Sequence, residues 1–127
     1  MATAAQYAAT PATAMVQIST ANTNRDGTGT LGTLITGTTN GTRVDDINIK
    51  ATVTTTAGMV RMYMSDGTDH RLMDEFPVTA ITVSASVAGW QLKLQNLGII
   101  LKNGWSLRFS THNAETFNVV MSRGGDY

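Results

Sequence analysis

Apolar residues recur at every second position along most of the chain, and no stretch of twelve residues carries a helical stripe. Met15–Thr20 (MVQIST) alternates, with Val16 and Ile18 on one side. Leu31–Thr36 (LGTLIT) predicts a second strand. Arg43–Val53 predicts a longer one with Ile47, Ile49 and Ala51 in phase. Val44 is out of phase with them, which predicts a bulge near Asp45-Asp46. In Met59–Ser65, Val60, Met62 and Met64 share one face, and Met59, Arg61 and Tyr63 the other. Arg71–Val78 is a strand whose Pro77 suits an edge or a strand end. Thr79–Ala88 reads as a loop or irregular strand. Trp90, Leu92 and Leu94 are in phase, Ile99–Leu101 is apolar, Trp105, Leu107 and Phe109 point inward, and Thr116–Met121 closes the series.

Turn chemistry separates these runs. Residues 21–30 (ANTNRDGTGT), 54–58, 66–69 (DGTD) and Asn103-Gly104 are rich in residues that tolerate positive φ or make local side-chain turns. Asn40-Gly41 is the strongest short hairpin signal. About eight strands with turns every 8–12 residues or so predict an all-β, antiparallel β-sandwich of jelly-roll type. An immunoglobulin-like sandwich is the alternative. Val16, Ile18, Ile35, Ile47, Ile49, Val60, Met62, Met64, Leu92, Leu94, Leu107, Phe109, Phe117 and Val119 form the expected core.

Residues 1–14 (MATAAQYAATPATA) have no basic or continuous apolar region of the kind a signal peptide needs. Thr3, Thr10, Thr13 and Pro11 oppose a helix. The expectation is an extended N-terminal arm over 1–14 and a single sandwich domain over 15–127. A partner would order the arm by strand addition, with Tyr7, Pro11 and Met15 as partner-binding positions. Arg61, Tyr63 and Arg108, on the faces opposite the core residues, are expected interface positions.

Composition narrows the function. Thr, Ala and Gly make up 47 of 127 residues, while only 18 are charged, nine of each sign. A free-standing soluble domain carries about a quarter charged residues, so the low charge points to surface buried in an assembly. There is no Cys, which excludes disulfide scaffolds and Cys-based zinc modules. Without a basic surplus, direct nucleic-acid binding is not expected, and no 18-residue apolar run predicts a membrane span.

Catalytic chemistry is sparse. His70 and His112 stand far apart and read as turn residues, not metal ligands. Asp45-Asp46 and Asp74-Glu75 are strand neighbours, whose side chains point to opposite faces. Asp66–Asp69 lacks the later ligands of a calcium loop. Seven serines include no nucleophile elbow, and the glycines of DGTGTLG have no Rossmann spacing. Trp90, Trp105 and Tyr63 would be a sugar platform only if exposed, and their phase with Leu favours the core. No catalytic residue, cofactor or metal is expected, and the chain does not read as an enzyme.

The segments STANTNRDGTGT (19–30), TTTAGMVRMYMSDGT (54–68) and STHNAETFNV (110–119) resemble small Thr/Gly-rich β-proteins encoded among the structural genes of tailed bacteriophages. The resemblance spans roughly Ser19–Val120 and marks no active site. It implies a virion protein akin to jelly-roll capsid decoration (cement) proteins, which sit as trimers on capsid faces. The implied partners are the major capsid protein and further copies of the chain, as a homotrimer. The implied location is the capsid surface, after synthesis in the bacterial cytoplasm. A receptor- or glycan-binding tail-fibre head, and a neck or tail structural protein, are the alternatives. Removing residues 1–14 is expected to weaken attachment to the capsid while leaving the domain folded.

Overall fold

The computed structural model describes residues 8–127. Ten strands and no helix make up the described chain: β1 Thr10–Pro11, β2 Ala14–Ile18, β3 Gly32–Thr36, β4 Thr42–Ala51, β5 Gly58–Ser65, β6 His70–Val78, β7 Gln91–Leu94, β8 Ile99–Leu101, β9 Ser106–Thr111 and β10 Phe117–Asp126. One sheet has six strands in the order β1-β10-β4-β7, with β2 also on β10 and β8 also on β4. The other runs β3-β9-β5-β6. Every strand pairing is antiparallel. None of the described elements is a helix long and apolar enough to cross a membrane.

The inner faces of both sheets meet in one core. Ile18, Val44, Ile47, Ile49, Phe117, Val119 and Met121 come from the six-stranded sheet, and Val60, Met62, Phe76, Leu107 and Phe109 from the four-stranded one. This is the period-two pattern at work, since alternate residues of each strand enter a single apolar layer. Val16, Met64, Leu92 and Leu94 pack against that core from partly buried positions. Trp90 joins it, 7% exposed, with its ring edge-on to Phe117 at 5.7 Å. The buried Thr42 donates its hydroxyl to Asp126 Oδ1 at 2.6 Å.

Three features differ from the expected pattern or refine it. In β3 the fully inward residue is Leu34, and Ile35 is only partly buried. The register shift between Thr33 and Ile35 along β9 makes Leu34 an extra, unpaired residue, while Ile35 stays opposite Leu107 and packs against the core. The phase change at Val44 coincides with register shifts in β10 between Met121 and Gly124. The Asn40-Gly41 turn does not close a hairpin. It carries the chain from β3 in one sheet to β4 in the other, with Gly41 N–H donating to Thr38 O at 2.9 Å. The local turn is as expected, but sheet membership follows from which neighbours bury the flanking apolar faces.

Asp66-Gly67, by contrast, joins β5 and β6, which do pair. The Asp66 carboxylate accepts the N–H groups of Asp69 and Thr68, and those bonds, Asp69's first, hold its pKa below the ordinary aspartate value. Pro77 lies on β6, the edge strand. Within the segment expected as an arm, Ala9 N–H donates to Asp126 O and Ala12 N–H to Gly124 O, at 2.8 and 3.1 Å. Residues 9–12 therefore run along β10 of the same chain.

Candidate interaction surfaces

The outer faces of the two sheets differ. On the four-stranded sheet, the loop of residues 19–30 folds over β5 and β6. Tyr63, fully buried, donates its hydroxyl to Asn24 O at 2.9 Å. Arg61, 4% exposed, donates from Nε to Glu75 Oε2 at 2.9 Å and from a terminal nitrogen to Asn22 O at 3.4 Å. Both terminal nitrogens also lie 3.3 Å from His112 Nδ1, which accepts because guanidinium has only donors. From the loop itself, Arg25 reaches Glu75 Oε1 at 2.6 Å. Hydrogen bonds from Arg25 and then Arg61 hold the Glu75 carboxyl below the ordinary glutamate value.

The loop is built for this contact. Asn22 Nδ2 donates to the carbonyls of Thr28 and Thr30, both at 3.0 Å, and so ties its two ends together. Asp26 Oδ1 accepts the hydroxyl and N–H of Thr28, which lowers its pKa, the side-chain bond contributing most. Gly27 sits at φ +90 against the His70 carbonyl, where any side chain would collide. Arg61 and Tyr63 thus lie under their own chain's loop. Arg108, partly buried, donates Nε to Ser106 Oγ at 3.1 Å. Sequence alone could not show that the polar stretch 19–30 covers β5, because the contacts join residues about 40 positions apart.

The outer face of the six-stranded sheet is open. Met15 is 80% exposed and sits in register with Val120, which pairs in turn with Asn48 and, across β4, Lys93. The next row is Gln17, Asn118, Lys50 and Gln91. A groove of about 600 Å³ runs between this face and the 79–89 segment, with Val83 and Val87 on its wall and Asn48 and Lys50 on its floor. Pro11 is exposed and Met15 lies on this face, whereas Tyr7 falls outside the described residues.

At one end of this face the two neighbouring aspartates both face Arg123, Asp45 at 3.8 Å and Asp46 at 3.1 Å. Asp45, 8% exposed, takes Arg43 Nε at 2.8 Å. Asp46 takes Arg123 through both oxygens at 3.1 Å and the Asn96 N–H at 3.0 Å. Those bonds, Arg123's first, hold Asp46 below its ordinary value. The pair is an ion network, not an acid and base sharing one opening. His70 Nδ1 is bound to Ser65 Oγ at 2.7 Å, away from His112. Among the described residues, no three His, Cys, Asp or Glu side chains are grouped to hold a metal ion. Of the aromatics considered for a sugar platform, Tyr63 and Trp90 are buried, and Trp105 is half-covered beneath Lys102, whose Nζ lies 5.7 Å from the ring centre.

No family model matches the chain, and no match is found among curated proteins.

Proposed function

We propose that this chain is a structural virion protein of a tailed bacteriophage, a capsid decoration protein that attaches to the outer capsid surface as a homotrimer and stabilises the head. The observation that carries the reading is the strand order. With β1 taken as an extension of β2 along β10, and β7 and β8 as one interrupted strand along β4, the sheets read β2-β10-β4-β7/β8 and β3-β9-β5-β6. On that reading the order matches eight strands in jelly-roll connectivity, an arrangement that recurs in capsid proteins. Only β5–β6 joins consecutive strands within one sheet without an interruption, as two interlocked Greek keys require.

Three further features support the reading. The phage-like segments 54–68 and 110–119 supply β5 and the end of β9 with the turn that follows. The neutral, low charge suits close packing of many copies. The open six-stranded face offers room for a neighbouring protein with no chemistry to perform.

Quantitative densitometry of purified particles tests the proposal. A decoration protein appears in hundreds of copies per head, or roughly that order, as lattice symmetry demands. A count near a dozen would place the chain in a neck or tail ring instead. Attachment has its own test, made by removing residues 1–7 only, because residues 9–12 carry backbone bonds to β10. Heads decorated equally well by the shortened chain would exclude the N-terminal segment from attachment.

A further inference from the structure

The charges are distributed unevenly along the chain. No charged residue precedes Arg25, and of the 18 charges only Arg25 and Asp26 lie before Arg43. Both belong to the 19–30 loop, where Arg25 is engaged with Glu75. The strands built from this part, β1, β2 and β3, therefore carry no charge, and they lie together along one side of the molecule. Val16 and Ile18 of β2 reach over Gly32 of β3, and a Cβ there would approach them within 3.1 and 2.8 Å.

The opposite side carries charges on β6 and β7, though β8 (Ile99–Leu101) has none. β6 at its edge carries Arg71, Asp74, Glu75 and Pro77, and β7 carries Lys93. Charges and proline on an edge strand discourage another chain from pairing with it. β2 has neither. Its inward hydrogen-bonding row is taken by β10. In an antiparallel pair, the alternate N–H and C=O groups of an edge strand point outward. Among the described residues no backbone or side-chain partner meets that outward row over Ala14–Ile18. Beside it stands Met15, 80% exposed, over a groove of about 380 Å³ shared with Val16, Gln17, Asn118 and Val120. The same side holds Ser110, 2% exposed, whose Oγ has no hydrogen-bond partner and which lines a narrow cleft with Gln17 and Thr30.

We infer that the β2 edge is the surface through which copies of this chain associate, its outward backbone row pairing with an extended segment of a second copy. The occupant is argued from charge. A second copy carries the same net charge as the first, and this chain is neutral overall and uncharged along this side, so no like charges oppose the approach. A charged partner would find no complementary group on β2. The inference deepens the proposed assembly by naming its contact, but it does not depend on capsid binding or on three-fold symmetry.

Sedimentation equilibrium of the full chain over a wide concentration range tests it, alongside the variants Met15→Lys and Met73→Lys. Both side chains are exposed, so both variants fold, and Met73 lies on the charged β6 edge. Wild type and Met73→Lys should self-associate equally, and Met15→Lys should weaken association at least about tenfold by placing a charge in an otherwise uncharged contact. Amide exchange adds a backbone readout: the outward-facing amides of residues 14–18 should be protected in the wild-type assembly and lose protection in Met15→Lys, while those bonded to β10 stay protected in both. A wild type that stays monomeric, or an assembly that survives Met15→Lys unchanged, overturns the inference. A dimer disrupted by Met15→Lys would uphold the β2 contact while refuting the homotrimer, so the two readings fail separately.

Discussion

Replacing Arg61 by alanine removes the centre of the clamp that holds the 19–30 loop over β5. Its side chain is 5% exposed and ties together β6, the loop and the residue that follows β9. A charge-assisted hydrogen bond contributes about 1.5–3 kcal/mol. The full penalty for breaking a buried ion pair, about 3–5 kcal/mol, does not apply, because Arg25 still neutralises Glu75. Adding the weaker contacts and the lost packing of the stem gives about 2–4 kcal/mol. At a urea slope of about 2 kcal/mol per molar, the unfolding midpoint should fall by roughly 1–2 M. Tyr63→Phe removes one neutral bond to the same loop and should cost about 1 kcal/mol. If the loop is held as a unit, the double variant should cost less than the sum, since the first change already frees what the second anchors. A midpoint shift under about 0.3 M for Arg61→Ala, or additivity within about 0.3–0.5 kcal/mol, would refute the clamp.

Other consequences are open to direct measurement. Phe109 is fully buried on a central strand between Gly32 and Met62, so Phe109→Ala should cost about 3–5 kcal/mol by denaturation. Gly27→Ala should destabilise more than Gly67→Ala in the same assay: both glycines have positive φ, but only Gly27 also faces a backbone oxygen, that of His70, while Gly67 looks into open space. Glu75, Asp46, Asp26 and Asp66 all have depressed pKa values in the fold. Their contribution is therefore complete above the ordinary carboxylate range, about pH 4, and is lost as pH falls through the lowered values. Denaturant midpoints should hold steady down to that range and decline below it. In Arg25→Ala the share of that decline due to Glu75 should shrink.

The strands were legible because their cause is local. Alternation of apolar residues in MVQIST, RMYMS and SLRFST places Ile18, Met62 and Phe109 on inner faces whatever the topology, since the side-chain period of a strand is two. The punctuation by Asn, Asp and Gly was equally readable, because φ preference belongs to the single residue. Where a register shift intervenes, an extra residue enters the strand, and so Leu34 of β3 joins the core beside Ile35, which packs against it from a partly buried position.

Only the tertiary structure decided which strands share a sheet and what covers each outer face. The Asn40-Gly41 turn specified a reversal but could not say that β3 would pair with β9 and β4 with β10. Such pairings depend on apolar faces far apart in sequence being buried against each other. The phase of β5 put Arg61 and Tyr63 opposite the core, and it took the folded chain to lay residues 19–30 over them and bury both. The same packing left Met15 in the open. Local sequence settles which way a side chain points; whether anything lies in front of it depends on the rest of the fold.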